Sequence, residues 1–177
     1  YHYLKLIKSI RLHLIKDGLL VDSYHVNNYH QGVNALGVDC GIFTSNEIPH
    51  VLEFIKSCQF ASSVILGRSV LKVAFEYQMT EFAFEYMFDY EKGWGTILRQ
   101  GWQTMWEGYD DIESHSHAWN TYPLKMIQTY VAGIQIDPDD CHKVLIKPQF
   151  VNRVKDIETH VLTMEGVLKF GYSIDEK

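Results

Sequence analysis

The sequence predicts a mainly α-helical protein, in which an array of helical hairpins is followed by a short antiparallel β segment. Apolar residues recur every three or four positions as far as Gly133, which is the period of an amphipathic helix. Near the end of the chain they alternate with polar residues instead, as in a strand with one buried face. The change falls at Asp137 and Pro138, so we expect a helical unit over residues 1–136 and a β unit over residues 137–177.

Two helices are predicted in the first 40 residues. The first ends at Asp17 and Gly18, because glycine readily adopts the left-handed conformation that closes a helix. The second starts at once, with Ser23 as its N-cap. Their inward positions follow at steps of three and four: Tyr3, Ile7, Ile10 and Leu14, then Val26, Tyr29, Val33, Leu36 and Cys40.

Three more helices are predicted before residue 90. The first is capped by Ser45 and has Pro49 in its opening turn, where proline is tolerated. Residues 61–90 then form two helices with a break near Gln78 and Met79, because Thr80 can open a new first turn. The aromatic side chains of this region have helical spacing, so we interpret them as core residues: Phe75, Phe82, Phe84, Tyr86 and Phe88.

The rest of the chain reads as a long loop, one helix and several strands. Gly93 begins an irregular stretch that runs to about Glu113, and a helix follows from about Ser116 to Val131. A short strand is predicted over 144–146, and two more flank the turn at 165–166. Helix pairs joined by short turns, with one long polar and aromatic loop, are typical of a helical toroid with a functional loop at one end.

Composition excludes several function classes. The net charge is -6 with no basic run, so we expect no nucleic-acid partner. No stretch reaches the roughly 18 apolar residues of a membrane span, and the sequence gives no compartment. The three cysteines form no C-x-x-C pair that would mark a zinc or redox centre. We therefore expect no metal and no cofactor.

The stretch from Gly101 to Pro123 has the composition of a carbohydrate site. It holds Trp102, Trp106 and Trp119 among glutamate, aspartate and histidine residues, with few aliphatic side chains. Indole faces stack on the apolar faces of sugar rings, while carboxylates and imidazoles bind hydroxyls and move protons. A carbohydrate is therefore the expected partner.

The same stretch resembles a known family of enzymes. Thr104-Met105-Trp106-Glu107, followed by Ser114-His115-Ser116-His117, is similar to the Thr-x-x-Glu and Ser-x-x-His motifs of the α-L-rhamnosidases. These are inverting glycoside hydrolases built on an (α/α)6 barrel. The resemblance continues through residues 144–148 and 163–166, which look like the junction with the C-terminal β-sandwich of that family.

The resemblance implies roles for particular residues. Glu107 would be the general base that activates water, and His117 would bind a sugar hydroxyl. Trp94, Trp102 and Trp106 are candidate walls of the pocket. Gln31, with Asn34, resembles the polar helix start that lines the groove of such barrels, although a polar outer face explains both residues equally well.

Other readings of the polar residues stay open. The His115 and His117 pair could place two imidazoles on a metal ion. The acidic residues of the loop could bind calcium or simply be solvated: Asp110, Asp111 and Glu113. Trp119 could belong to the core or serve as a sugar platform.

The resemblance also implies that part of the enzyme is missing. A complete (α/α)6 barrel has about twice the roughly six helices predicted here, and no segment between Tyr1 and Tyr90 matches the acidic region that carries the general acid. We therefore expect a fragment, with the C-terminal half of the barrel in 1–136 and the start of a β-sandwich in 137–177. The alternatives are a non-catalytic glycan-binding helical module, or an (α/α)6 glycosidase or lyase acting on another sugar.

Overall fold

The computed structural model describes residues 2–89, 91–101, 103–109 and 114–175. The helices are α1 His2–Leu14, α2 Gln31–Asp39, α3 Ile48–Ser57, α4 Val64–Glu76, α5 Thr80–Phe88, α6 Gly93–Arg99 and α7 Tyr122–Met126. A 3-10 turn at Ala118–Thr121 precedes α7, and a π-helical turn at Ile127–Val131 continues it. The strands form antiparallel pairs: β1 Ile15–Lys16 with β2 Leu19–Leu20, β3 Ile134–Ile136 with β4 Val144–Ile146, and β5 Asp156–Thr163 with β6 Gly166–Ser173. A mainly helical chain with short antiparallel strand pairs is thus confirmed.

Helix α4 is at the centre of the hydrophobic core. It contacts α2, α5 and α7. Its sequence is apolar around most of its circumference, which is the pattern of a helix enclosed by neighbours. Several of its side chains are completely inaccessible to solvent: Val70, Leu71, Val73, Ala74 and Phe75. The helices on either side of α4 are therefore held in place by burial against it.

The predicted break between α4 and α5 is confirmed. Gln78 adopts a left-handed conformation with φ of 61°. Its N–H bonds to Phe75 O at 3.1 Å, and the next N–H, from Met79, bonds to Ala74 O at 2.7 Å. This pair of bonds is a Schellman motif, which satisfies the last carbonyl groups of the helix. Gln149 also donates to Phe75 O at 2.9 Å, so the segment after β4 is fixed to the end of α4.

Helix α1 lies on the surface and is fixed to the molecule by polar contacts. None of its residues is fully buried. Arg11 donates to both carboxylate oxygens of Glu47, at 2.8 and 2.9 Å, and to Ile42 O at 2.7 Å. The bidentate Arg11 guanidinium, together with the Thr44 N–H, lowers the pKa of Glu47 to about 2.

The first 40 residues differ from the prediction in two respects. Helix α1 ends at Leu14, and Asp17 and Gly18, with φ of 51° and 78°, form the two-residue turn of the β1–β2 hairpin. The second helix begins at Gln31 and not after Ser23. Of the residues before it, 22–25 form bends and a turn, and Tyr29 forms an antiparallel bridge with Val21, a backbone pairing that helical periodicity does not reveal.

The prediction of an irregular stretch after Gly93 was also wrong. Residues 93–99 form α6, although two of its first three residues are glycine. Trp94 and Ile97 are 5% and 1% exposed, so burial of these two side chains offsets the low helix propensity of glycine.

The C-terminal strands follow the predicted alternation. Leu168, Phe170 and Tyr172 are half-buried, and the residues between them are exposed. Strand β3 was not predicted; it pairs with β4 immediately after Gly133. Gly133 has φ of 77°, and a side chain there would overlap the backbone of Lys147 and Pro148.

Candidate functional site

The candidate catalytic residues lie on the loop between α6 and α7. Residues 100–101, 103–109 and 114–117 of this loop form neither helix nor strand, and the 3-10 turn at Ala118–Thr121 leads into α7. Two backbone hydrogen bonds join its arms, from Glu107 N to Ser114 O at 2.7 Å and from His117 N to Met105 O at 2.8 Å. The Thr-x-x-Glu and Ser-x-x-His sequences are therefore antiparallel neighbours in the folded chain.

The side chains of Glu107 and His117 face each other. His117 Nε2 lies 3.8 Å from Glu107 Oε2, and the two side chains are 24% and 36% exposed, respectively. This separation is longer than a hydrogen bond. His117 Nδ1 is buried and has no hydrogen-bond partner among the described residues. The accessible edge of the pair thus presents one carboxylate oxygen and one imidazole nitrogen, which can both reach a single bound hydroxyl group.

Trp119 completes the accessible side of this arrangement. Its ring centroid lies 4.2 Å from that of His117, and its indole N–H donates to Glu107 O at 3.1 Å. The side chain is 43% exposed. Trp119 therefore does not belong to the core, and its predicted role as a sugar platform stays a prediction.

Two of the predicted pocket walls are buried. Trp106 is 0% exposed, and its ring stacks on that of His115 with a centroid distance of 4.7 Å. It therefore does not form an accessible wall of a pocket, contrary to the prediction. Trp94 is 5% exposed, and its indole N–H donates to the side-chain and backbone oxygens of Asn120. An indole buried under a loop has more of its apolar surface removed from water than an indole that lines an open groove, so burial is the more stabilising position. Trp102 lies outside the described residues.

Gln31 and Asn34 are structural residues and do not line a groove. Gln31 is 1% exposed; its amide donates to Ile55 O and Gln59 O and accepts from Ala61 N. Asn34 is 0% exposed; its amide accepts from Leu20 N and donates to the carbonyl groups of Leu20 and His30. Both amides satisfy backbone groups that would otherwise be buried without partners, which leaves Gln31 unavailable to a sugar.

Asn120 has a comparable role in the candidate loop and was not predicted. It is 0% exposed. Its side-chain N–H groups donate to Trp106 O at 2.9 Å and, at the limit of hydrogen-bond length, to Gly108 O at 3.5 Å. Its side-chain oxygen accepts from Trp94 Nε1. The sequence offers only the position of an asparagine at a helix start as a signal, and that position ordinarily indicates capping.

Buried aromatic rings support the loop from below. The Tyr109 ring lies 5.0 Å from Phe60 and 5.2 Å from Trp94. Burial raises the pKa of the Tyr109 hydroxyl. A side chain at Gly67 would lie 3.0 Å from that hydroxyl oxygen, so this glycine lets α4 approach the loop closely.

The metal hypotheses gain no support from the described residues. No cluster of three or more histidine, cysteine, aspartate or glutamate residues that could hold an ion occurs among them. The rings of His115 and His117 pack against different indoles, those of Trp106 and Trp119. The proposed calcium ligands Asp110, Asp111 and Glu113 lie outside the described part of the chain. No helix in the described ranges is long and apolar enough to cross a membrane.

A separate groove of about 790 Å³ lies against α5. Carboxylates and aromatic rings line it, including Glu81, Glu85, Phe82 and Phe60. Glu81 accepts a hydrogen bond from Asn152 N at 2.8 Å and so serves the fold. Neither Glu107 nor His117 lines this groove, which is therefore distinct from the arrangement on the loop.

Comparison with known proteins gives a structural likeness. No protein-family model and no curated protein matches the sequence. Among solved structures, the chain is similar to an α-L-rhamnosidase from Dictyoglumus thermophilum, with a TM-score of 0.85 and 16% identity. The match covers 97% of this chain and 20% of the rhamnosidase chain. At this identity the likeness establishes a shared fold over that fifth of the larger protein.

Proposed function

We propose that this chain is part of an inverting glycoside hydrolase of the α-L-rhamnosidase type, with Glu107 as its general base. The observation that carries the proposal is the position of the Glu107 carboxylate, 3.8 Å from His117 Nε2, on a residue whose backbone carbonyl group accepts a hydrogen bond from the exposed indole of Trp119. The motif resemblance and the likeness to a solved rhamnosidase support it independently.

In an inverting mechanism, Glu107 would act as the general base. In such a reaction a carboxylate takes a proton from the water that attacks the anomeric carbon, while a carboxylic acid on the other face protonates the leaving oxygen. Glu107 is about one third exposed, so both water and substrate can reach it. We propose that the general acid comes from a part of the enzyme outside this chain.

His117 and Trp119 would bind the sugar. His117 Nε2 is available for a hydroxyl group, and the Trp119 ring offers an apolar face beside it. Trp94 and Trp106 would support the loop from within, and Trp102 remains a proposed wall of the pocket. A carbohydrate bound in this way contacts both protein groups and the attacking water.

The proposed architecture follows from the same assignment. Residues 1–136 would form the C-terminal half of an (α/α)6 barrel, and residues 137–177 the start of a β-sandwich. The remainder of the catalytic domain would complete the groove around Glu107. The second candidate is a non-catalytic glycan-binding module, which would use the same exposed indole and imidazole without a proton donor. An (α/α)6 glycosidase or lyase specific for another sugar is the third.

The test is hydrolysis by the full-length protein. Aryl α-L-rhamnoside is incubated with the enzyme, with other aryl glycosides as controls, and proton NMR follows the anomeric configuration of the first product. Release of β-L-rhamnose supports the proposal. Retention of configuration, or selective hydrolysis of another glycoside, would contradict the proposed activity. Binding of rhamnose without turnover would favour the glycan-binding module.

A further inference from the structure

We infer that Asn120 is the positioning residue that sets the location of the proposed base. The inference rests on the proposed role of Glu107 and concerns the backbone around it. Three consecutive carbonyl groups, those of Trp106, Glu107 and Gly108, each accept a hydrogen bond from the side chain of Trp119 or Asn120. The peptide on both sides of the Glu107 Cα is thus held by two adjacent side chains.

The orientation of the Asn120 amide is itself fixed. The Trp94 indole N–H donates to its oxygen, which forces the amide nitrogen to face the loop carbonyl groups. Trp94 belongs to α6 and packs in the hydrophobic core, so the bond to Asn120 fixes the position of the loop relative to this helix. Asn120 is 0% exposed, and water therefore cannot replace these bonds without opening the site.

The same turn carries the other site residues. Asn120 N donates to His117 O at 3.3 Å, so His117 caps the 3-10 turn on which Trp119 and Asn120 lie. A change in the Asn120 amide would consequently move Glu107 relative to His117. Misplacement of a catalytic group by about 1 Å can cost about 100-fold in rate.

The chain contains a matched control at Asn34. This residue is also 0% exposed, and its amide bonds two backbone carbonyl groups and one backbone N–H, but in the contact between α2 and β2. Changing either asparagine to aspartate removes donors of the same kind and leaves the side-chain volume unchanged. Comparison of the two variants separates loss of stability from loss of positioning.

The experiment compares Asn120→Asp with Asn34→Asp in the full-length enzyme. We expect both to lower Tm, but only Asn120→Asp to lower kcat, by about 10- to 100-fold with KM changed less than threefold. Equal kcat in the two variants would overturn the inference.

A structural measurement keeps the test independent of activity. Crystal structures of both variants give the separation of Glu107 Oε2 from His117 Nε2, which is 3.8 Å in the wild-type protein. We expect a different separation in Asn120→Asp and an unchanged one in Asn34→Asp. An unchanged separation in Asn120→Asp contradicts the inference even if the protein is not a hydrolase. If Asn120→Asp does not fold, Trp94→Phe removes the orienting N–H and keeps an aromatic ring at this position, with the same expected displacement and loss of kcat. Full activity of Glu107→Gln would instead contradict the proposed function alone.

Discussion

His117 Nε2 and Glu107 Oε2 lie 3.8 Å apart on the two arms of one loop, which backbone hydrogen bonds hold side by side. The two residues differ in accessibility and in chemistry, and we propose that the Glu107 carboxylate serves as the base for water while the His117 imidazole binds a hydroxyl group. Their proposed roles therefore predict different kinetic defects.

Replacement of Glu107 by glutamine should remove the base and preserve the shape of the loop. We expect kcat of the full-length enzyme to fall by about two to four orders of magnitude with a modest change in KM. Azide should partly restore turnover and give a glycosyl azide of inverted configuration. Glu53→Gln, a change at an exposed position on α3, is the control and should leave kcat unchanged. Near-normal kcat in Glu107→Gln would assign the base to another residue.

Replacement of His117 by alanine should weaken substrate binding through one lost hydrogen bond. The expected loss is about 0.5 to 1.5 kcal/mol in kcat/KM, which is roughly a 2- to 13-fold decrease. Azide should have no effect, because the base is still present. Steady-state kinetics with and without azide measure both quantities, and restoration by azide would show that His117 takes part in proton transfer.

The exposed indole of Trp119 should contribute to sugar affinity. Trp119→Ala in the full-length protein should weaken binding of L-rhamnose by about 0.5 to 1.5 kcal/mol, the range for one aromatic contact. Tyr77→Ala removes a similarly exposed aromatic ring, at the end of α4, and should leave the affinity for the sugar unchanged. Isothermal titration calorimetry compares the variants. An effect at Trp119 no larger than that at Tyr77 would reject the proposed platform.

The 177-residue chain alone should show no hydrolysis of aryl α-L-rhamnoside. Inversion requires two carboxyl groups about 6.5 to 9.5 Å apart, and the proposal assigns only Glu107 within this chain. Circular dichroism establishes whether the purified chain is helical before the assay. Turnover by the folded chain would place the general acid within it, with Asp111 and Glu113 as the first positions to mutate.

The Arg11–Glu47 pair should make stability depend on pH in the acidic range. Because the pKa of Glu47 is lowered from 4.5 to about 2, its contribution is fully present above pH 4.5 and is lost as the pH falls towards 2. Both side chains are about 30% exposed, so solvent screening limits the contribution to about 1 kcal/mol.

Urea unfolding of wild type and Glu47→Gln measures this contribution. The variant should be less stable at pH 7, and the difference should shrink between pH 4.5 and pH 2. Glu91→Gln, which alters a more exposed ion pair with Arg99, should show a smaller difference at pH 7. A difference for Glu47→Gln that does not vary with pH would contradict the assignment.

Local patterns were sufficient for most of the helices. The period of apolar residues identified α1 to α5 and the helical run that ends at Val131, although it began α2 too early and missed α6. Gln78 marked a break because its neighbours could close one helix and open the next. The same patterns failed where a contact with another segment of the chain determined the backbone conformation. Tyr29 is extended through its pairing with Val21, and the glycine-rich start of α6 is helical because Trp94 is buried.

The sequence by itself determined which residue types meet at the candidate site, since Glu107 and His117 belong to two motifs on one short loop. Only the tertiary structure decided which aromatic and amide side chains are accessible. Trp106 and Trp119 are both indoles next to polar residues in the sequence, yet one is fully buried and the other is 43% exposed. The physical reason is that burial depends on how α4 and α6 pack beneath the loop, and Asn120 acquires its role only when its amide meets Trp94 and the loop carbonyl groups there.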